Sequence, residues 1–143
     1  MMDQIIARLK NSRRVLLTTH INPDGDAIGS LLALGLALEQ IETVAQLYSQ
    51  SPIPAVYRFL PWSHRVCRSI DRLDCFDSVV VLDCGELERI GEEFSRVRKV
   101  PTLINLDHHS TNREFGHINE VDPDACSTSE IVYRLIKKMG LHI

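Results

Sequence analysis

The sequence has no cysteine pair at CxxC spacing, no low-complexity tract, no repeat of fixed period and no apolar run long enough to cross a bilayer. Each absence narrows the field. Cys67, Cys75, Cys84 and Cys126 lack the spacing of a zinc finger or a disulfide framework, so reduced thiols are expected. The longest apolar stretch, residues 27–38, is too short for a membrane span and is broken by Gly29, Ser30 and Gly35. The opening MMDQIIARLKNSRR has no apolar core of signal-peptide length. A soluble, cytoplasmic protein with no membrane partner is the expectation. An excess of one charge is also missing: 16 Lys and Arg face 19 Asp and Glu, a net charge of −3. That balance gives no global basis for gripping long nucleic acid, and a small anionic substrate would need a local positive source such as metal ions.

What is present is an ordinary globular composition, 44% hydrophobic and 24% charged, in 143 residues that fit one domain. Ile5, Ile6 and Leu9 suit a short amphipathic helix, and RRVLLTT a buried strand over 15–19. Residues 26–40 are apolar all round and predict a helix covered on most sides. TVAQLYS reads as a second strand, and SPIPAVYRFLPW as a loop with a short helix fenced by Pro52, Pro54 and Pro61. SVVVLD is a third strand, LERIGEEFSRVR a helix and TLINLD a fourth strand. STSEIVYRLIKKMG sets Ile131, Val132, Leu135, Ile136 and Met139 at helical spacing with Gly140 as a stop. Alternating strands and helices predict an α/β fold: a mainly parallel sheet flanked by helices on both faces.

The polar ends of the strands carry the chemistry. Residues 15–19 run into His20, residues 79–82 into Asp83, and residues 103–106 into Asp107, His108 and His109. In open α/β sheets, ligands bind outside the carboxyl ends of the strands, so separate segments deliver carboxylates and imidazoles to one edge. Asp24, Asp26, Asp83 and Asp107 gathered there would repel: two unit charges about 4 Å apart cost roughly 4 kcal/mol at an effective dielectric near 20. Shared protons or bound cations would relieve this, and the adjacent imidazoles favour cations such as Mn, Zn or Fe. The donors outnumber what one ion needs, and two ions with a bridging water make hydroxide near neutral pH. Taken alone, NPDGD is a turn that caps the next helix through Asp26, and Asp83 is merely a strand-ending residue. DHH is different, because three titratable residues directly after a buried strand are costly to desolvate.

HINPDGDAIGS, VLDCGE, LDHHSTNREFG and DPDACSTSEIVYRLI resemble, in order and spacing, the motifs of the DHH phosphoesterases of the RecJ-like superfamily. The likeness covers residues 14–140. Asn112, Phe115 and Gly116 after the DHH triplet look like the branch of nano-RNases and pAp phosphatases. The resemblance implies that His20 and Asp24 bind one Mn2+, that Asp83 bridges to a second, and that Asp26 and His108 hold that second ion. It makes Asp107 either a ligand or a partner orienting an imidazole, and His109 a catalytic group facing the substrate phosphate. Asn112 and Arg113 would contact substrate. Mg2+ or another divalent ion could replace manganese, and a homodimer is compatible. The implied activity is hydrolysis of short oligoribonucleotides or pAp through a hydroxide bridging two metals.

Relative to that family, no further Asp in a TDTG-like segment and no DHHA1 domain follow within these residues. The expectation is therefore a DHH domain over 1–143 cut before its fourth metal motif, with a weak second metal site and little activity alone. Cys126 stands where Ala or Ser is usual. Cyclic-di-AMP phosphodiesterase and pyrophosphatase or exopolyphosphatase activities are the alternatives within the class; a non-catalytic metal-binding or regulatory module is the alternative outside it. Arg58, Arg65, Arg68 and Arg72 read as a solvated face before an RNA-contacting patch, Trp62 as a loop anchor before a stacking platform, and Glu130 as part of a capping box at Ser127.

Overall fold

The structure is a computed structural model that describes residues 1–143. Six strands form one parallel sheet: β1 (Arg14–Thr19), β2 (Val44–Tyr48), β3 (Val66–Cys67), β4 (Ser78–Leu82), β5 (Leu103–Asp107) and β6 (Ile118–Val121). Their order is β3-β2-β1-β4-β5-β6. The chain builds outward from β1 through β2 to β3, then returns to place β4 against the other side of β1. The direction of winding therefore reverses between β1 and β4, the place where such sheets open a crevice at their carboxyl ends.

Strand side chains alternate between two cores, as a pleat of period two requires. Val15, Leu17, Val80, Leu82, Ile104 and Leu106 face one side, where they pack with α1 (Met2–Lys10), α2 (Gly25–Glu39) and α4 (Thr128–Met139). Leu16, Val79, Val81 and Leu103 face the other, covered by Ile70, Phe76, Leu87, Ile90, Val97 and Val100. Both faces are thus buried, which is why SVVVL lacks any polar alternation. In α2, buried residues occur all round the helix, so the helix holds the loop before it firmly against the sheet.

Three local expectations need correction. The segment LERIGEEFSRVR is not one helix but a 3-10 turn (Leu87–Ile90) and a single α-turn, α3 (Phe94–Val97). Gly91 breaks it at φ +106°, and the Gln50 side chain fills the space that a Cβ there would need. The apolar spacing of Leu87, Ile90 and Val97 was genuine, but it serves two short pieces folded onto the same core. Two strands escaped the sequence: β3 has only two residues, and β6 is an edge strand of intermediate burial throughout. Finally, the residue that caps α2 is Asp24, whose Oδ1 accepts from Ala27 N–H at 3.0 Å, and not Asp26. The last helix runs as expected, with Gly140 closing α4 in the left-handed conformation.

Candidate metal centre at the carboxyl edge of the sheet

β1 and β4, paired side by side, end at Thr19 and Leu82, so His20 and Asp83 are delivered to neighbouring positions. Asp83 is 2% exposed and adopts a left-handed backbone (φ +57°), a conformation Asp tolerates better than most residues. No Lys or Arg pairs with its buried carboxylate; its ionic neighbours are imidazoles. His20 Nε2 lies 3.6 Å from Asp83 Oδ2, while His108 Nε2 and His109 Nδ1 lie 3.7 and 3.8 Å from Oδ1. An unpaired buried carboxylate is expensive, so this one calls for a cation.

The donors fit a divalent ion. His20 Nδ1 bonds the Ile21 carbonyl at 2.7 Å, which fixes the proton on Nδ1 and leaves Nε2 as a lone-pair donor toward Asp83. Two sets of donor atoms lie within 4.8 Å of one another: His20, Asp24 and Asp83, and Asp83, His108 and His109. Asp83 belongs to both. The 3.6 and 3.7 Å that His20 and His108 keep from Asp83 are too long for hydrogen bonds but suit ligands arranged about a cation at about 2.0–2.2 Å from each, whereas His109 Nδ1 is already engaged by Asp107 at 2.7 Å. The Asp83 carboxylate raises the pKa of His20 above its ordinary value against the opposing effect of burial. Burial alone would raise Asp26, but the Ser129 hydroxyl and the Ser129 and Thr128 N–H groups outweigh it and hold Asp26 below the usual carboxylate value.

The profile of the DHH family, N-terminal domain, matches residues 14–142. The chain belongs to the DHH family. It is 38% identical over 130 residues to the bifunctional oligoribonuclease and PAP phosphatase NrnA of Thermus thermophilus, an alignment covering 89% of this chain and 37% of the relative. With the NrnA of the same description from Bacillus subtilis it shares 30% identity over 139 residues, 94% of this chain and 42% of that one. An exopolyphosphatase-related protein from Bacteroides fragilis has a similar solved structure, with a TM-score of 0.89 and 30% identity over 97% of this chain and 43% of the other. The chain thus spans well under half the length of these relatives.

Within this DHH fold, the structure brings His20, Asp24 and Asp83 together. His108 Nε2 lies between Asp26 Oδ2 at 3.6 Å and Asp83 Oδ1 at 3.7 Å, so Asp26 borders the second donor set. Asp107 stands outside both sets. It is fully buried; its Oδ1 meets His109 Nδ1 at 2.7 Å and its Oδ2 accepts from Asn112 Nδ2 at 2.7 Å. Of the two roles left open for it, the geometry matches the orienting one. Asn112 is engaged within the protein: its Nδ2 also donates to Asn105 Oδ1 at 2.7 Å, and its Oδ1 accepts from Glu114 N–H. Arg113 points to solvent and pairs with Glu86 at 3.1 Å.

Sequence reasoning missed Asn105, Thr128 and Ser129. Asn105 is fully buried on β5 and anchors Asn112, so a polar chain runs from Asn105 through Asn112 and Asp107 to His109. Thr128 and Ser129, inside the STSE segment read only for its capping box, both touch the acidic cluster. An Asn within a run of Leu and Ile, TLINLD, was the available signal for the first. The four arginines each have local partners: Arg58 and Arg68 bond backbone carbonyls, Arg72 pairs with Asp74, and Arg65 covers the Trp62 ring at 3.9 Å. Trp62, expected as a loop anchor, packs against the main core. Glu130 accepts from Cys126 N–H at 2.8 Å while Ser127 Oγ accepts from Glu130 N–H, a capping box displaced by one residue. No helix is long and apolar enough to cross a membrane, and all four cysteines are free.

Proposed function

We propose that this DHH domain is the metal-binding part of a phosphoesterase that hydrolyses short oligoribonucleotides and pAp, using two divalent ions, manganese foremost. The observation that carries the reading is Asp83, a buried carboxylate common to two donor sets. The substrate class is suggested by the NrnA relatives. When bound, divalent ions supply Lewis acidity that activates water and neutralises phosphate charge.

The chain's own residues then divide the work. His20, Asp24 and Asp83 hold one ion; Asp26, His108 and Asp83 hold the other. His109, 41% exposed, faces the open side of the edge. Asp107 holds its Nδ1, which leaves Nε2 to face the substrate phosphate and the negative charge that grows there as phosphorus is attacked. Asn112 and Asn105 keep Asp107 in place, so they act on the substrate only through His109.

The test is hydrolysis by the protein expressed from its full coding sequence, with Mn2+, of a 5′-labelled diribonucleotide, pAp, cyclic di-AMP and pyrophosphate. The diribonucleotide and pAp are cleaved, and Asp83→Asn and His108→Ala abolish cleavage. Cleavage of pyrophosphate or cyclic di-AMP alone would refute the substrate class. Full activity in both variants would refute the site.

A further inference from the structure

Helix α4 enters the metal centre through its first turn. The Thr128 side chain is fully buried and donates its hydroxyl proton to Asp83 Oδ1 over 2.9 Å. The Thr128 backbone N–H donates to Asp26 Oδ2 at 2.9 Å. Ser129 donates both its N–H, at 2.8 Å, and its hydroxyl, at 2.7 Å, to Asp26 Oδ1. One turn of one helix therefore grips two carboxylates that come from the end of β4 and the start of α2.

The two N–H bonds to Asp26 serve the start of α4, but the side-chain contact of Thr128 exceeds what the helix needs. Ser127 already caps the helix by accepting from Glu130 N–H at 3.1 Å, and Glu130 returns to Cys126 N–H. The Thr128 hydroxyl, in contrast, does nothing for the helix: its partner is Asp83, which lies 45 residues earlier in the chain. It is also the only neutral donor on that carboxylate, whose remaining neighbours are imidazoles at 3.6–3.8 Å. A hydroxyl occupying one lone pair of Oδ1 stops the carboxylate from rotating and keeps Oδ2 toward His20 and the rest of Oδ1 toward His108. Loss of a partner that orients a ligand in this way typically costs about 10- to 100-fold in metal affinity.

We propose that Thr128 and Ser129 are positioning residues of the metal centre, holding Asp83 and Asp26 in their ligand orientations. The proposal rests on the reading of this edge as a divalent-metal site. Thr128 sets the carboxylate shared by both ions, and Ser129 sets the one on the His108 side. Removing the first hydroxyl loosens both sites; removing the second loosens one.

Calorimetric titration of Mn2+ into the full-length protein tests this, with wild type, Thr128→Val, Thr128→Ser and Ser129→Ala compared and metal-free melting followed alongside. Thr128→Val, which keeps the volume and loses the hydroxyl, weakens Mn2+ binding about 10- to 100-fold, and Thr128→Ser stays within about threefold of wild type. Ser129→Ala weakens only one class of site, by about three- to tenfold. A purely structural role would lower the melting temperature of Thr128→Val and leave the affinity of the folded protein unchanged; that result overturns the proposal. If Thr128→Val does not fold, wild-type affinity at every site in Ser129→Ala overturns it. A wild-type protein that binds no Mn2+ overturns the metal reading and the proposal together, whereas tight binding unaltered by Thr128→Val overturns the proposal alone.

Discussion

Asp26 and Asp83 both belong to the acidic edge, yet in the metal-free protein their removal acts with opposite signs. Asp26 accepts the N–H groups of the first two residues of α4 and the Ser129 hydroxyl. In Asp26→Ala those donors lose a charged acceptor. Each such bond contributes about 1.5–3 kcal/mol, and because the Asp26 side chain is 19% exposed, water replaces part of it, leaving a net loss of about 2–4 kcal/mol. At this chain length, 1 kcal/mol corresponds to roughly 2–4 °C, so the melting point falls by about 4–16 °C. Asp83 is the reverse case. It is 2% exposed with no Lys or Arg partner, and above the pKa of His20 its charge is uncompensated. Asp83→Asn keeps an acceptor for the Thr128 hydroxyl, tolerates φ +57°, and removes the charge; it stabilises the metal-free protein by about 1 kcal/mol or more. Scanning calorimetry at pH 8 in a chelator measures both. If Asp26→Ala raises the melting point, carboxylate repulsion dominates at Asp26 and the capping argument is wrong.

Other consequences are smaller or more local. His20 has a pKa raised by Asp83, so its contribution to metal-free stability is fully present below 6.5 and is lost as pH climbs through the raised value; Asp83→Asn removes that slope from a series of pH-dependent melts. Asn112→Leu frees Asp107 and with it His109, lowering kcat about 10- to 100-fold with Mn2+ affinity unchanged, as steady-state kinetics and calorimetry together reveal. Glu42 is exposed in the turn before β2 at φ +60°; Glu42→Gly relieves about 1 kcal/mol of strain and raises the melting point by about 3 °C without altering metal binding.

The sheet was legible because burial on both faces forces unbroken apolar runs, as in VLLTT, SVVVL and TLINL, each ending on a charged or imidazole residue. β3 and β6 were not, since two and four residues at an edge need no such run. The helix read over LERIGEEFSRVR failed because its apolar spacing survives a break at Gly91, where only contact with Gln50 reveals the turn. At the site, His20, Asp24 and Asp83 were readable as strand-end and loop donors. The contact between Asn112 and Asp107 was not, because it depends on Asn105, a partner seven residues before Asn112 on a buried strand. Thr128 stayed hidden for a similar reason: in sequence it is a helix-start threonine, and its carboxylate partner lies 45 residues away.

The central claim is that this edge holds two divalent ions about the Asp83 carboxylate. Anomalous diffraction from crystals of the protein soaked in Mn2+ tests it directly. The account predicts two peaks about 3.5–4 Å apart sharing Asp83, one beside His20 and Asp24 and the other beside His108. Manganese bound only at exposed carboxylates elsewhere, with no peak within reach of Asp83, would contradict it.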